Sequence, residues 1–523
     1  MRSARWVAAA AVLAVAGCSG GTPPQASLPT GTLAPTTPGP PRSTPAKPTT
    51  LPPLPPATLD LKDCTDRVRL PDTDRKLSFD CGTLSVPLDY ADPAGEKLTV
   101  FVIRARMAGQ RDRIGSLAVN PGGPGGSGVN TAVQLSVALP EEVLRRYDLI
   151  GFDPRGVGLS TPLRCVPDAL KDEITAESAD VASTAEYVAQ AALARRQAQG
   201  CQRKYGGKLA HFNTVETARD LDRLREALHE IRLNYLGYSY GTLLGAVYAT
   251  LFPDRVGAFV LDGAVDPTAG ELANSEAQAR GFEDAYTQFA ASCLRSASCP
   301  LAPDPRAFLQ RLLHQTKAHP IPSGSGDTRR VTDGNVLLAV VSALYSRGDW
   351  DDLTRALADA GRGDGGGILD LDDQYNQRQD DGTFSNLLDV NLAVNCADRA
   401  ATIPDATIRA TLAGWRKKYP LFGAPLALTL LSCSSWTAPR HPLPAVSAPR
   451  AASPILVVGT RHDPATPYAS AQKLRAALGR AVLLSWDGDG HTAYPKTSCV
   501  ARAVDAYLLD RTLPAANATC PAA

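Results

Sequence analysis

Short apolar runs separated by amphipathic stretches dominate two parts of the chain. The runs are rich in Val, Leu, Ile and Phe, which is typical of strands. Several of them are apolar throughout, which indicates strands that are buried on both faces of a sheet. The predicted strands cover residues 81–88, 98–106, 116–120, 147–152, 233–236, 256–262, 454–459 and 481–486.

Helical periodicity fills the gaps between these strands. Residues 214–231 repeat apolar side chains at helical spacing, with Asn213 placed as the N-cap and Glu216 as its third-position partner. The apolar face of this helix is expected to carry Val215, Leu221, Leu224, Leu228 and Ile231. Further helices are expected over residues 242–251, 468–478 and 499–510. This alternation predicts an α/β protein with a mostly parallel sheet covered by helices on both faces.

The pattern changes at about residue 268. Four stretches with helical periodicity follow, then a glycine-rich break at residues 361–367, and polar helices resume to about residue 419. The four stretches cover residues 271–292, 304–317, 333–345 and 350–360. We therefore expect a mainly helical lid at residues 268–440, inserted between two parts of the α/β core at residues 59–267 and 441–523.

The N-terminus has the pattern of an export signal. Basic residues precede a short apolar run at residues 6–16, which is too short to span a bilayer. Residues 15–18, Val-Ala-Gly-Cys, resemble a bacterial lipobox. We predict a signal peptide at residues 1–17 and a lipid on Cys18, which is the only membrane contact expected. An ordinary signal peptide with a chance cysteine is the alternative.

A tether follows the predicted lipid. Residues 18–58 are rich in Pro, Thr, Ser and Gly and carry almost no charge. Such a segment buries too little apolar surface to offset its ordering entropy, so we expect it to be disordered. The expected location is therefore extracytoplasmic, on the outer face of the bacterial cell membrane or, after release, as a secreted protein.

The cysteine count also favours export. Eleven cysteines are present, and eleven minus Cys18 leaves ten, an even number that fits five disulfides in an oxidising compartment. Pairing between nearest neighbours in sequence is our guess, because connectivity does not follow from sequence. The pairs would be Cys64–Cys81, Cys165–Cys201, Cys293–Cys299, Cys396–Cys433 and Cys499–Cys520.

Residues 237–241, Gly-Tyr-Ser-Tyr-Gly, fit the Gly-x-Ser-x-Gly pattern of a nucleophile elbow. In this pattern a serine occupies a sharp turn between a strand and a helix, and the flanking glycines let neighbouring backbones approach closely. A predicted strand before Ser239 and a predicted helix after it supply that context. A tight turn with an incidental serine is the alternative.

A glycine-rich loop at residues 121–128 follows a predicted strand upstream of Ser239. A phosphate-binding loop would end in Gly-Lys-Ser/Thr, and this loop has no lysine. We favour an oxyanion loop, in which the backbone N–H groups of Tyr240 and Gly123 face a developing negative charge. Asp153 and Arg155, in the next predicted turn, are expected to pair and hold that turn beside the loop. A catalytic role for these two charged residues is the alternative.

A serine nucleophile needs a base, and the base needs an acid that orients it. In an α/β-hydrolase these residues follow in the order Ser, acid, His, from loops after successive strands. His491 lies in a glycine-rich loop after the last predicted strand, and Asp463 follows the strand before it. We predict a triad of Ser239, Asp463 and His491, with Asp262 as the alternative acid.

These segments together resemble exported bacterial peptidases of the tripeptidyl aminopeptidase and proline iminopeptidase group, which have the α/β-hydrolase fold. The resemblance rests on residues 120–126, 151–160, 237–241, 463–467 and 490–491. Pro121 departs from the cytosolic iminopeptidases, which have His before Gly-Gly-Pro-Gly. The resemblance implies a helical lid with a carboxylate that captures the free N-terminus of a substrate. The candidates for that carboxylate are Glu271, Glu283, Asp389 and Asp398.

The expected function is that of a serine aminopeptidase that releases short peptides, tripeptides by resemblance, from free N-termini through an acyl-enzyme. A carboxylesterase or lipase with the same triad is the first alternative, and a non-catalytic binding lipoprotein is the second. The chemistry requires no metal and no organic cofactor. Peptides or proteins with free N-termini are the expected partners. The formal net charge of +1 and the lack of a long basic run argue against nucleic acid.

Overall fold

The computed structural model describes residues 54–70, 73–324 and 327–522. The predicted signal peptide, Cys18 and the predicted tether as far as residue 53 lie outside the described residues. No helix within the described ranges is long and apolar enough to cross a membrane.

Most of the strands belong to one large ten-stranded sheet. The strands are β1 (Lys62–Asp63), β2 (Leu77–Pro87), β3 (Lys97–Met107), β4 (Gly115–Asn120), β5 (Tyr147–Phe152), β6 (Leu233–Tyr238), β7 (Val256–Asp262), β8 (Ile321–Pro322), β9 (Arg330–Val331), β10 (Ile455–His462), β11 (Ala481–Asp489) and β12 (Thr519–Cys520). The sheet order is β1-β2-β3-β5-β4-β6-β7-β10-β11-β12, and β8 and β9 pair separately. The pairs from β1 to β5 are antiparallel, and those from β5 to β12 are parallel.

Helices cover both faces of this sheet and also lie beyond it. They are α1 (Gly128–Ala138), α2 (Glu141–Arg146), α3 (Asp168–Thr175), α4 (Thr184–Tyr205), α5 (Thr214–Ala227), α6 (Tyr240–Leu251), α7 (Glu271–Leu294), α8 (Pro305–Ala318), α9 (Asp333–Leu344), α10 (Trp350–Ala360), α11 (Gly366–Asn376), α12 (Leu387–Asp398), α13 (Asp405–Lys418), α14 (Gly423–Leu428), α15 (Tyr468–Leu478) and α16 (Ser498–Asp510).

The central strands are buried on both faces because side chains alternate across a sheet. In β4, Leu117 and Val119 enter one hydrophobic core, whereas Ala118 enters the core on the other face. All eight predicted strands are present, with bounds that differ by about four residues at most. The predicted α/β class with a mostly parallel, doubly covered sheet is confirmed.

A third hydrophobic core lies among the helices between β7 and β10. Helices α7 to α11, α13 and α14 supply most of its buried side chains. Tyr187 of α4 also enters this core, although α4 precedes β6 in the chain. Conversely, Val390 and Leu392 of α12 belong to the core of the sheet. Helix α4 thus contributes to the core of the lid, and α12 contributes to the core of the sheet. Hydrophobic periodicity alone does not reveal these assignments.

Helix α5 shows where periodicity failed. Asn213 caps it as predicted, because its side chain accepts a hydrogen bond from the backbone N–H of Glu216. The helix ends at Ala227, however, and not at residue 231. His229 has a φ of 57°, which turns the chain, so Ile231 leaves the apolar face and is 87% exposed. The prediction that Ile231 packs on that face was wrong.

Five disulfides join cysteines that are neighbours in the sequence: Cys64–Cys81, Cys165–Cys201, Cys293–Cys299, Cys396–Cys433 and Cys499–Cys520. Such a set persists only in an oxidising environment, so the disulfides indicate an extracytoplasmic protein. The Cys396–Cys433 bond lies in the core of the sheet and fixes α12, the helix that leads to Asp398.

Candidate active site

Ser239 occupies the turn between β6 and α6. Its φ of 56° and ψ of −126° are sparsely populated for a residue with a side chain, and strain of this kind is typical of a nucleophile elbow. The glycines are needed sterically, because a Cβ on Gly237 would lie 2.5 Å from the carbonyl oxygen of Gly241. The N–H of Ser239 donates to the carbonyl oxygen of Asp262 (2.9 Å), which ties the turn to β7.

The glycine-rich loop lies directly against this turn. A Cβ on Gly122 would lie 2.6 Å from the carbonyl oxygen of Tyr238 and 2.9 Å from the backbone nitrogen of Tyr240. The N–H of Gly122 is already used, because it donates to Asn120 Oδ1 (3.0 Å). Tyr240 begins α6, so its N–H has no intrahelical acceptor. The arrangement leaves the N–H groups of Tyr240 and Gly123 as the candidate oxyanion donors.

Asp463 and His491 form a buried hydrogen-bonded pair. The two Asp463 carboxylate oxygens lie 2.9 and 3.0 Å from His491 Nδ1. A carboxylate only accepts, so Nδ1 carries the proton and Nε2 has the free lone pair of a base. Nε2 is buried and has no hydrogen-bond partner among the described residues. It is therefore the nitrogen that is available to take a proton.

Thr466 completes the environment of Asp463. Its N–H donates to Asp463 Oδ1 (2.8 Å) and its hydroxyl donates to Oδ2 (3.0 Å), while the N–H of Ala465 also donates to Oδ1 (3.0 Å). These three donors hold the carboxylate in one orientation. An aspartate whose side chain accepts from residues two and three positions later is a known turn pattern, so the sequence carried a signal for Thr466 that was not used.

Asp262, the alternative acid, has another role. Its carboxylate accepts from the N–H groups of Ala493 (2.9 Å) and Tyr494 (2.8 Å). It therefore holds the backbone of the loop that carries His491, whereas Asp463 holds the imidazole. Burial raises the pKa of Asp262 to about 6. Of the two acids, Asp463 is the one whose carboxylate contacts His491 Nδ1.

The serine turn and the histidine loop lie at the same edge of the sheet. Tyr238 and Asp262 are paired in the register of β6 and β7, so Ser239 and Gly263 follow neighbouring strand ends. A Cβ on Gly263 would lie 2.9 Å from His491 Cε1. Ligand sites of open α/β sheets lie outside the carboxyl ends of the strands, where these residues are found.

The expected Asp153–Arg155 pair is not formed. Asp153 instead accepts from the Ser127 hydroxyl (2.6 Å), which caps α1 directly after the glycine-rich loop. Arg155 is fully buried and donates to both oxygens of Asp220 at 2.7 Å. The prediction failed because the partner of Arg155 is on α5, a distant segment. Asp153 connects the turn to the loop, and Arg155 contacts other segments.

The four lid carboxylates have different partners. Glu271 pairs with Arg399 (2.5 Å), Glu283 with Arg306 (2.6 Å), and Asp389 with the buried Lys171 (3.0 Å). Asp398 accepts instead from the N–H of Thr214 (2.9 Å) and from its hydroxyl (2.5 Å). Burial raises the pKa of Asp398 to about 7.

Asp398 is also linked to the serine turn. The Thr214 hydroxyl lies 2.6 Å from the Tyr240 hydroxyl, and Tyr240 directly follows Ser239. Asp398 keeps part of its surface accessible, whereas Asp389 is completely buried. Asp398 is thus connected through the Thr214 hydroxyl to Tyr240, the residue next to Ser239.

Comparisons with known proteins agree with this architecture. Residues 419–520 match the family model described as TAP-like protein. Over 462 residues the chain is 39% identical to serine protease Hip1 of Mycobacterium tuberculosis, covering 84% of this chain and 87% of the relative. Carboxylesterase B of the same species is 37% identical over 464 residues, covering 86% and 88%.

The tripeptidyl aminopeptidase of Streptomyces lividans is 32% identical over 480 residues, which cover 89% of this chain and 87% of that protein. Matches of this length include both the α/β core and the helices inserted in it. The chain therefore belongs to the family of serine peptidases with the α/β-hydrolase fold that includes the tripeptidyl aminopeptidases.

Proposed function

We propose that the protein is an exported serine aminopeptidase that releases short peptides, tripeptides in the first instance, from free N-termini. The observation that carries the proposal is the Asp463–His491 pair, whose buried Nε2 lacks a partner among the described residues and lies at the sheet edge where Ser239 is found. The orientation of the imidazole supports Nε2 as the atom that takes and returns the proton. The peptidase relatives support peptides as the substrate class.

In the proposed reaction, Ser239 Oγ attacks the scissile carbonyl carbon while His491 Nε2 takes the hydroxyl proton. Asp463 stabilises the imidazolium, and the N–H groups of Tyr240 and Gly123 stabilise the oxyanion. As the C–N bond breaks, Nε2 returns the proton to the leaving amine. Water, deprotonated by the same nitrogen, then hydrolyses the acyl-enzyme and regenerates Ser239. The proposal needs no metal or organic cofactor.

Asp398 is the lid carboxylate that we favour for capturing the substrate α-amino group. The other three candidates each pair with a cation, which already neutralises their charge. No cation pairs with Asp398 within the described residues, and its two acceptor contacts come from neutral groups of Thr214. An α-ammonium group, with a pKa of about 8, would supply the missing positive charge.

The first experiment tests the reaction and the substrate together. Wild type and Ser239→Ala are compared on a tripeptide arylamide with a free N-terminus, its acetylated form, and a short-chain acyl ester. We expect Ser239→Ala to lower kcat about 10⁶-fold and to abolish labelling by a fluorophosphonate. Near-normal hydrolysis by Ser239→Ala would refute the triad, and equal cleavage of both arylamides would refute the aminopeptidase assignment.

The second experiment tests the amine receptor. Asp398→Asn keeps the side-chain shape but removes the charge, so KM for the free arylamide should rise about 10-fold or more, the loss expected for about 1.4 kcal/mol of binding. The acyl ester has no amine and serves as the internal control, with an unchanged KM. Equal effects on both substrates would mean that Asp398 supports the fold and does not bind the amine.

A carboxylesterase is the second candidate, because a relative bears the name carboxylesterase B. The same triad cleaves esters, so the ratio of kcat/KM for the acyl ester and the free arylamide separates the two functions. A strong preference for the ester over every free peptide tested would favour the esterase.

We also propose that residues 1–17 are removed on export, that Cys18 is lipidated, and that the segment to residue 58 tethers the folded part. The helical lid is proposed to be inserted at residues 268–440, a range within which α12 packs on the core of the sheet. The lipobox-like residues 15–18 support the lipid. Cys18→Ala should move the protein from the membrane fraction into the medium; unchanged membrane association would refute the anchor.

A further inference from the structure

The end of lid helix α9 contacts the loop that carries His491. The carbonyl oxygen of Tyr345, the C-cap of α9, accepts from the backbone N–H of His491 (2.8 Å). The next residue, Ser346, forms an antiparallel β-bridge with Gly490. This backbone pairing joins the lid to the catalytic loop at the position of the histidine itself.

The Tyr345 side chain contacts the imidazole as well. The two ring centroids are 5.0 Å apart with an interplanar angle of 77°, which is an edge-to-face arrangement. Edge-to-face geometry is one of the two arrangements that aromatic pairs prefer, because the positive edge of one ring meets the negative face of the other. Burial raises the pKa of Tyr345 well above its ordinary value, so the phenol stays neutral and acts on His491 as an apolar ring.

The histidine loop is shaped to receive this contact. Gly490 has a φ of 102°, and a Cβ there would lie 2.8 Å from the Tyr345 carbonyl oxygen. The imidazole also meets the core, since a Cβ on Gly263 would lie 2.9 Å from His491 Cε1. The ring is thus confined by the backbone at Gly263, by Asp463 at Nδ1 and by Tyr345 of the lid.

Tyr345 is itself held firmly within the lid. Its ring packs against Tyr375 of α11 (5.7 Å between centroids) and Phe282 of α7 (6.2 Å). A shift of either helix would therefore move the ring that contacts His491. This packing lets the tertiary structure of the lid determine where the imidazole lies.

We propose that Tyr345 is a positioning residue for His491, so that the lid completes the catalytic apparatus in addition to covering it. The inference rests on the proposed function, because it takes His491 as the base. Hydrogen bonding at Nδ1 alone leaves the imidazole free to tilt about the Nδ1–carboxylate direction, and the Tyr345 ring restricts that tilt. A misplacement of about 1 Å in an active site can cost about 100-fold in rate.

Two substitutions separate the ring from its hydroxyl. Tyr345→Phe keeps the ring and should retain kcat within about twofold. Tyr345→Leu removes the ring and should lower kcat about 10- to 100-fold on both the arylamide and the acyl ester, with KM unchanged. The rate of fluorophosphonate labelling should fall in parallel, because it depends on the triad and not on peptide subsites.

Phe289→Leu is the matched control. Phe289 is buried in the same lid core, and its ring packs against Tyr286 and Trp350, whereas the aromatic ring described against His491 is that of Tyr345. The Phe289→Leu substitution should lower the melting temperature about as much as Tyr345→Leu does, while kcat stays near the wild-type value. If Tyr345→Leu does not fold, Tyr345→Met replaces it, since methionine fills the space without an aromatic edge.

The inference is overturned if Tyr345→Leu or Tyr345→Met keeps a wild-type kcat, or if Phe289→Leu loses kcat equally. Either result leaves the proposed function standing, because that depends on Ser239→Ala being inactive. Conversely, an active Ser239→Ala protein would remove the proposed function whatever the Tyr345 variants do.

Discussion

Replacing Asp463 by Asn should abolish most of the activity while keeping the fold. The substitution is nearly isosteric, and Asp463 is buried, so its effect comes from hydrogen bonding. Asp463 Oδ1 accepts from two backbone N–H groups, those of Ala465 and Thr466. An amide NH₂ at that position would face two donors and leave them unsatisfied, at about 1–3 kcal/mol each.

The amide introduced by Asp463→Asn would therefore turn its oxygen toward those N–H groups and place its NH₂ at the Oδ2 position, 3.0 Å from His491 Nδ1. An NH₂ there opposes the proton on Nδ1, so the tautomer with the proton on Nε2, the nitrogen that we propose as the base, gains stability relative to the wild type. An equivalent Asp→Asn change in a chymotrypsin-like protease lowers kcat about 10⁴-fold through the wrong tautomer. We expect a similar loss here, about 5.4 kcal/mol of transition-state stabilisation at about 1.36 kcal/mol per tenfold.

The assay is kcat on the free tripeptide arylamide, with thermal unfolding to verify the fold. Asp262→Asn is the matched control, because Asp262 is also buried but holds only the backbone of the histidine loop. The Asp262→Asn protein should be less stable than the wild type, and its kcat should fall by less than about 100-fold. A displacement of the histidine loop by less than about 1 Å costs no more than that in rate. An Asp463→Asn protein within about tenfold of wild type, or a larger loss for Asp262→Asn, would refute the assignment of the acid.

Three further predictions concern the oxyanion loop, a lid carboxylate and a disulfide. Gly122→Ala should lower kcat at least about 100-fold, because its Cβ would collide with the serine turn; Gly109→Ala, also at positive φ but with nothing within 4 Å, is the control and should stay active. Burial raises the pKa of Asp372 to about 7, so the folded state binds an extra proton and stability should fall as pH rises from about 4 to 7, by up to about 1.4 kcal/mol per pH unit. In urea denaturation across that pH range, the unfolding free energy of Asp372→Asn should decrease less with pH than that of the wild type. An unchanged dependence on pH would contradict the prediction. Replacing Cys396 and Cys433 together by Ser should cost about 3–4 kcal/mol in urea denaturation, and an unchanged midpoint would refute a stabilising role.

Much of the fold could be predicted because the strands of a doubly covered sheet are short apolar runs. The same signal could not place α4, which is rich in Ala, Gln and Arg and has no strong apolar face. Its Tyr187 enters the lid core only because other helices surround it. Ile231 shows the opposite error, since helical spacing continues past the residue where His229 turns the chain.

The candidate active site likewise has features that the sequence predicts and features that it does not. The Gly-x-Ser-x-Gly motif around Ser239 predicts the geometry of the turn, because the strained backbone conformation depends on residues adjacent in sequence. The order of Ser239, Asp463 and His491 along the chain follows from the fold class. Two acids fitted that order, however, and the contacts distinguish them, because Asp463 reaches His491 Nδ1 whereas Asp262 accepts from the backbone N–H of Ala493.

The fold class, the strained serine turn and hence the type of reaction follow from the amino-acid sequence, because these depend on periodicity and on short-range backbone geometry. Which groups contact one another across the chain depends on the tertiary fold. Arg155 pairs with Asp220 rather than Asp153, and Tyr345 of the lid contacts His491. Such contacts depend on how helices pack against one another and on the sheet, and no local pattern encodes that packing.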